Sequence, residues 1–227
     1  MMKSVSRLVF LAAAGLCASS AVAQADTFTF TSCHLTGGCG TSTSFGTVTL
    51  LQSGTSVTFD VVLNSGNRFV ETGAGGGELF LFNDTVSGST ITNISATLNG
   101  APVTIPGGLQ GFTNISPPTM ADGTGTFTAS VECTTAASCN GGSTPNINDL
   151  HFTVTNATLA QLETANAAGN IFVADILCGA STCAPGGLTG PVDVAIPGPI
   201  VGAGLPGLVM ACAGLLGLAR RRRQRIV

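Results

Sequence analysis

The sequence lacks tryptophan and tyrosine and contains few charged residues. Only 8% of its 227 residues are charged, whereas glycine occurs 31 times. Tyrosine and tryptophan combine a large apolar ring with a polar tip, which makes them common residues of binding platforms. Their absence makes a sugar-binding platform a weaker expectation for this chain without excluding one.

Positive charge is almost missing from the middle of the chain. Seven of the eight basic residues lie in the two terminal segments, and Arg68 is the one basic residue between them. All eleven acidic residues lie from Asp26 to Asp193, so one positive and eleven negative charges give this region a formal charge of −10. A domain of this charge repels nucleic acid and anionic membrane surfaces. We therefore expect no nucleic-acid partner. We interpret the negative charge as a source of solubility in preference to a cation-binding function.

Known catalytic motifs are also missing. The chain contains no Gly-x-Ser-x-Gly elbow, no His-Glu-x-x-His helix and no phosphate loop. Its acidic residues offer many glycosidase-like carboxylate pairs but no reason to choose one. His34 and His151 form no recognisable metal motif, and residues 146–149 lack the ligand spacing of a known calcium loop. We therefore expect no enzymatic activity, no cofactor and no metal site.

The first 23 residues have the three parts of a cleavable secretory signal peptide. Residues 3–7 carry two positive charges, residues 8–16 are apolar, and Ala21 and Ala23 form a small-x-small cleavage site. The apolar part is too short to span a membrane. The segment predicts export from the cytoplasm.

An apolar segment followed by arginines lies near the other end of the chain. Residues 200–219 carry no charge and are just long enough to span a bilayer. A basic cluster after such a span halts translocation and stays on the cytoplasmic side. We therefore expect one transmembrane helix at 200–219, and a permanent anchor fits this pattern as well as a cleaved one. The basic cluster at 220–225 contains Arg220, Arg221, Arg222, Arg223 and Arg225.

Pro197, Gly198 and Pro199 precede the apolar segment. This order of proline signature, apolar helix and arginine cluster over 196–225 resembles the PEP-CTERM sorting signal of exported bacterial proteins, also called the ice-binding-protein C-terminal motif. The glutamate usual between the two prolines is Gly198 here. The resemblance implies processing by an exosortase, a membrane-embedded transpeptidase, in a Gram-negative bacterium that makes exopolysaccharide. It also implies transient residence in the inner membrane before delivery to the cell surface or medium.

The region 26–193 has the pattern of an all-β domain. Apolar and polar residues alternate at 27–31, 56–63, 126–133 and 151–155, as in half-buried strands. Further strands are expected near 44–51, 68–72, 90–98 and 170–177, and 78–82 reads as a central strand buried on both faces. Turn-rich links between short strands favour an antiparallel, jelly-roll-like β-sandwich.

Two further features interrupt this pattern. Thr158 and Gln161 have capping-box spacing, which predicts one short helix over 158–163. The stretch 100–125 is rich in proline and glycine and is predicted to be the largest irregular insert, where a binding loop is most expected. The recurring Thr-x-Thr pairs are interpreted as outward strand residues in preference to an ice-matching row.

Six cysteines outside the terminal segments fall into three local pairs. An exported protein meets an oxidising compartment, so disulfides are expected. Fifteen connectivities are possible, and the short spacings favour pairing of neighbours at strand ends. Zinc is an alternative, but two of the three spacings exceed the usual two to four residues, and an oxidising compartment does not suit a zinc site of thiolates. The pairs are Cys33 and Cys39, Cys133 and Cys139, and Cys178 and Cys183.

Together these features predict an exported, non-enzymatic protein of the cell surface or exopolysaccharide matrix, with a structural or adhesive role. Its expected partners are an exosortase-like processing enzyme, the membrane before processing, and exopolysaccharide. A glycan- or calcium-binding module is the first alternative. A secreted hydrolase is the second, which an acidic pair in one pocket of the folded domain would favour.

Overall fold

The structure, a computed structural model, describes residues 24–71, 77–135, 139, 147–183 and 186–195. Its fold is all-β, as predicted, with antiparallel strand pairs and one short helix. The predicted signal peptide (1–23) and sorting tail (196–225) lie outside these residues. Within the described ranges, no helix is both long and apolar enough to cross a membrane.

The elements are short and closely spaced. In chain order they are β1 (Ala25–Phe30), β2 (Ser32–Cys33), β3 (Gly46–Ser53), β4 (Ser56–Leu63), β5 (Arg68–Phe69), β6 (Glu78–Phe82), β7 (Thr90–Leu98), β8 (Ala101–Pro102), β9 (Leu109–Phe112), β10 (Thr119–Ala121), β11 (Gly125–Phe127), β12 (Ala129–Cys133), β13 (Asp149–Thr155), α1 (Leu159–Leu162), β14 (Asn170–Cys178) and β15 (Leu188–Ala195).

These strands form two large sheets and a small hairpin. The first sheet has six strands in the order β1-β3-β4-β13-β7-β8. The second has the order β2-β15-β14-β6-β12-β9, and β5 also pairs with β14. Among the described strands, β10 and β11 pair only with each other. Neighbours in each sheet often come from distant parts of the chain, as β4 and β13 do.

Phenylalanine rings from both sheets share one apolar core. Phe59 and Phe152 of the six-stranded sheet stack with ring centroids 4.5 Å apart. Phe59 also lies 5.1 Å from Phe82 and 5.9 Å from Phe172, which belong to the seven-stranded sheet. Large aromatic side chains dominate the energetics of a core. These rings therefore supply much of the apolar contact between the two sheets.

The seven-stranded sheet is also covered on its other face. There Leu81 and Val173 pack with Ala121 and Phe127 of the β10–β11 hairpin. All five residues of β6 are consequently buried. The prediction of a central strand buried on both faces is confirmed.

The predicted strand over 126–133 is wrong in one respect, because it is two strands in different sheets. The Thr128 hydroxyl donates to the Asp84 carbonyl and accepts a hydrogen bond from the Asp84 amide, at 3.0 and 2.9 Å. The break at Thr128 places Phe127 in the hairpin cluster, whereas Ala129 and Val131 face the main core. Alternation continues across the break, so the sequence gives no sign of it.

The segment 100–125 is less irregular than predicted. It contains β8 and β9, which lie at edges of the two sheets, and β10 of the hairpin. Its proline and glycine residues occupy the links between these short strands. At the predicted helix, α1 forms as expected, and the Thr158 amide donates to the Gln161 side-chain oxygen at 2.9 Å.

Three disulfides join the cysteines in the local pairs that the spacing favoured. The Cα atoms are 6.1 Å apart in Cys33–Cys39, 6.2 Å in Cys133–Cys139 and 5.8 Å in Cys178–Cys183. All three distances lie in the range usual for disulfides. Each bond closes a loop that begins at the last residue of a strand.

Candidate functional site

A cavity of about 420 Å³ lies beside the edge strand β9 of the seven-stranded sheet. Its volume falls in the range typical of small-molecule sites. Strands β6, β9 and β12 supply one side, and the link between β9 and β10 supplies the other. Its lining includes Glu78, Phe112, Asn114, Ile115, Ser130 and Glu132.

Strand pairing places two glutamates next to each other in this cavity. Glu132 pairs with Glu78 on one side and with Gln110 on the other. The Gln110 amide nitrogen donates to a Glu132 carboxylate oxygen at 2.7 Å. The Gly77 amide donates to the Glu78 carboxylate at 3.0 Å. Like charges directly opposite each other destabilise an antiparallel pair, so this arrangement carries a free-energy cost.

Burial and mutual repulsion act on the same group of carboxylates. Burial raises the pKa of Glu132, and the Glu78 charge raises it further, while the hydrogen bond from Gln110 lowers it. Burial also raises the pKa of Glu71, with additional contributions from Glu132, Glu78 and Asp175. Carboxylates with raised pKa values cluster at functional sites more often than elsewhere.

Ser130 contributes a hydroxyl to the same cavity. It is 1% exposed, and its oxygen has no hydrogen-bond partner among the residues that the structure describes. Leaving a buried hydroxyl without a partner costs roughly 1–3 kcal/mol. Phe112 pairs with Ser130 across β9 and β12 and is 43% exposed. The cavity therefore combines two carboxylates, an unpartnered hydroxyl and an accessible aromatic ring.

A second cavity of about 330 Å³ lies between β7, β8 and β9. Its lining consists of apolar and small polar residues, including Ile94, Ser95, Val103, Ile105 and Leu109. None of its described lining residues is ionisable. It therefore offers less recognition chemistry than the acidic cavity. Both cavities involve the segment 100–125, where a binding loop was expected.

His34 follows β2 of the seven-stranded sheet and His151 lies on β13 of the six-stranded sheet, and each histidine pairs with an aspartate. His34 Nε2 lies 3.2 Å from the Asp193 carboxylate, and His151 Nδ1 lies 3.1 Å from Asp60. Burial raises the pKa of Asp193, and the hydrogen bond from Ser32 and the nearby His34 lower it. Across the described ranges, no group of three or more His, Cys, Asp or Glu residues is arranged to hold a metal ion.

The faint calcium candidate at 146–149 contributes structural contacts over its described residues. The Asn148 side-chain oxygen accepts a hydrogen bond from the Asn99 amide at 2.7 Å. The Asp149 carboxylate accepts one from the Thr97 hydroxyl at 2.6 Å. The first contact joins the residue before β13 to the turn after β7, and the second joins β13 to β7 itself.

Sequence reasoning did not identify Glu78, Ser130 and Glu132 as one site. The alternation over 129–133 does show that Ser130 and Glu132 point away from the core. Their pairing partners lie about 20 residues before them on β9 and about 50 residues before them on β6. Only the pairing of β6, β9 and β12 brings the residues together, and no local signal encodes it.

The predicted cleavage residues Ala21 and Ala23 and the sorting residues Pro197 to Pro199 and Arg220 to Arg223 lie outside the described residues. The chain matches no protein-family model, no curated protein and no solved structure.

Proposed function

We propose that this is an exported protein with a structural or adhesive role at the cell surface or in an exopolysaccharide matrix. A PEP-CTERM-like tail sorts it, and an exosortase-like enzyme processes the tail. The observation that carries the proposal is the set of three short-range cysteine pairs at disulfide distance. Disulfides persist in oxidising compartments and are rare in the cytoplasm.

The proposed architecture is an antiparallel β-sandwich of jelly-roll type. The ring contacts of Phe59 with Phe82 and Phe172 support face-to-face packing of the two sheets. The crossovers in strand order also support it, since β4 pairs with β13 and β6 pairs with both β12 and β14. Such connections are typical of sandwiches with Greek-key links.

The outer face of the six-stranded sheet supports an adhesive role. Threonine hydroxyls from adjacent strands lie close together across it, at 3.2 Å for Thr27–Thr49 and 2.7 Å for Thr90–Thr155. Thr58 and Thr153 form a further pair at 3.5 Å. A face of this kind offers many hydroxyl donors and acceptors to a hydrated polymer.

Intact-mass analysis of protein recovered from cells and medium tests the proposal. We expect the mature protein outside the cytoplasm, without residues 1–23, shortened at the 196–225 segment, and lighter by six hydrogens for three disulfides. A matched variant with Arg220 to Arg223 replaced by glutamine should accumulate unprocessed. Recovery of the whole chain from the cytoplasm with six reduced thiols would contradict the proposal.

A secreted glycoside hydrolase is the second candidate. Two carboxyl groups flank the scissile bond in most such enzymes, and Glu78 and Glu132 line one cavity. Release of reducing ends from polysaccharides should then disappear in both Glu78→Gln and Glu132→Gln. Unchanged release in either variant would rule out this pair as the catalytic carboxyls.

A further inference from the structure

We propose that the Cys33–Cys39 disulfide is a redox switch at the edge of the seven-stranded sheet. A small thiol reductant opens this bond while the other two disulfides stay closed, and its reduction frees the loop that it closes, residues 34–38, to detach from β15. The inference goes beyond the structural role and the delivery proposed above. Its test starts from purified, oxidised protein, so the result does not depend on where the protein is sorted.

The three disulfides differ in how deeply they are buried. Cys33 and Cys39 are half-buried and pack against the main core without belonging to its buried part. The four cysteines of the other two disulfides are members of the core, and each is at most 5% exposed. Thiols reduce exposed disulfides more readily than buried ones. The Cys33–Cys39 bond is therefore the one that a reductant reaches with the least disturbance of the core.

The loop lies at an edge of the sheet. Strand β2 is the first strand of the sheet order and pairs with β15 alone among the described strands. After β2, the His34 amide donates to the Pro191 carbonyl at 2.8 Å, and the Thr36 amide donates to the Thr189 carbonyl at 2.9 Å. A segment with few packed neighbours opens locally at a lower free energy than the whole domain unfolds. The loop can therefore open while the two buried disulfides remain inaccessible.

Three further features hold the closed loop against β15. Leu35 is 6% exposed and belongs to the main core. The imidazole of His34 lies 3.2 Å from the carboxylate of Asp193 on β15. Gly190 of β15 permits the close approach, because a Cβ atom there would lie 2.7 Å from the His34 carbonyl oxygen. These contacts bring the reduced cysteines back together whenever the loop closes, so an oxidant can restore the bond.

The switch opens by thiol–disulfide exchange. A thiolate of the reductant attacks one sulfur of the pair and forms a mixed disulfide. The Cys33–Cys39 bond breaks in the same step, and the other cysteine leaves as a thiolate that takes a proton from water. A second reductant thiolate then attacks the reductant sulfur of the mixed disulfide and releases the remaining cysteine. Two reductant thiols are oxidised to one disulfide, and the protein gains two thiols.

Timed reduction followed by alkylation tests the inference. The oxidised full chain is treated with 2-mercaptoethanol at about pH 8, where a thiol is partly ionised, and samples are alkylated with N-ethylmaleimide and mapped by peptide mass. This reductant carries no acidic group besides its thiol, so the negative domain repels it less than an acidic thiol. We expect Cys33 and Cys39 to be alkylated at least about tenfold faster than the cysteines of the other two pairs, because a local opening needs less free energy than an opening of the core.

Variants separate opening of the loop from unfolding of the domain. Leu35→Ala removes the apolar anchor of the loop and should speed reduction of the Cys33–Cys39 pair at least about fivefold, without speeding that of the other pairs. Leu51→Ala is the matched control, because Leu51 lies on the other sheet and is 43% exposed; its reduction rates should equal those of the unchanged protein. A variant with both Cys33→Ser and Cys39→Ser keeps the switch open. Its amide hydrogens at residues 34–36 should exchange faster without any reductant, while those of β4 stay protected.

Three results would overturn the inference. The first is reduction of all three disulfides at one rate, or of a buried pair first, which would show that no local opening exposes the Cys33–Cys39 bond. The second is reduction of this bond in Leu35→Ala no faster than in Leu51→Ala, which would show that the loop does not control access. The third is unchanged amide exchange at residues 34–36 in the double serine variant, which would show that the bond does not hold the loop on β15.

Discussion

At the scale of single residues, the pairing of Glu132 with Glu78 places two like charges opposite each other in the sheet. The two carboxylates lie on paired positions, while Gln110 provides the only neighbouring donor side chain that the register places opposite Glu132. A glutamine at position 132 could keep that hydrogen bond through its amide oxygen and remove one charge.

We therefore predict that Glu132→Gln stabilises the protein. The free energy of unfolding should rise by about 0.5 kcal/mol near neutral pH, the order of magnitude of a cross-strand pair. Urea unfolding followed by circular dichroism measures the change. Gln110→Glu is the matched variant with the opposite expected effect. It places a third carboxylate beside Glu132 and Glu78 on the adjacent strands and should lower the free energy of unfolding. A loss of stability in both variants would show that repulsion between these carboxylates does not dominate their contribution to stability.

Another residue-scale feature is the carboxyl pair formed by Glu163 and Asp26. Burial raises the pKa of Glu163 to about 7, and the neighbouring Asp26 carboxyl adds to the increase. Glu163 follows α1, and Asp26 lies on β1. The two groups therefore join the helix to the edge of the six-stranded sheet best when Glu163 is protonated.

This pair predicts that stability falls as the pH rises from about 4.5 to about 7. The folded chain holds the Glu163 proton more tightly than the unfolded chain, so folding favours the protonated form and loses this contribution as the proton leaves. Thermal unfolding across this pH window should show the decline. Glu163→Gln should flatten it, whereas Glu132→Gln should leave the contribution of this pair in place. An unchanged slope in Glu163→Gln would show that other groups cause the decline.

At the scale of elements, local patterns and long-range pairing contributed differently to what could be predicted. The faces of β4 followed from alternation, and Val57, Phe59, Val61 and Leu63 are all buried. The capping-box spacing predicted α1 for a similar local reason. In contrast, the strand order is set by which apolar faces fit together in the folded chain, so the sequence did not reveal that β12 lies between β6 and β9. The acidic cavity depends on this strand order, so the sequence did not predict the cavity either.

The core also gives an element-scale prediction. Phe59 of β4 has ring contacts with Phe80, Phe82, Phe152 and Phe172, so it joins both sheets. Phe59→Ala should lower the free energy of unfolding by about 3–5 kcal/mol, the usual cost of such a cavity.

Phe112→Ala is the control for this substitution, because Phe112 is at the surface and the change should alter stability by no more than about 0.5 kcal/mol. Chemical unfolding of the two variants under the same conditions measures both effects. Similar losses in the two variants would mean that the ring cluster around Phe59 does not hold the sheets together.

At the scale of the whole molecule, the disulfides connect the export hypothesis to stability. Each bond joins cysteines only five or six positions apart, so each constrains a small part of the unfolded chain. Four of the six cysteines, Cys133, Cys139, Cys178 and Cys183, are buried in the main core. Reduction therefore removes constraints and also places thiols where the core is closely packed.

We predict that complete reduction lowers the free energy of unfolding by about 6 kcal/mol, since a loop of this size contributes about 2 kcal/mol in the chain-entropy model. Domains of this kind are stable by about 5–15 kcal/mol, so this loss would unfold a domain at the low end of the range and would remove a large part of the stability of one at the high end. Unfolding curves with and without reductant measure the loss, and replacement of one pair at a time by serine should give about a third of it. A protein that stays equally stable after reduction would not need an oxidising compartment to fold, and the structural argument for export would then rest on the terminal segments alone.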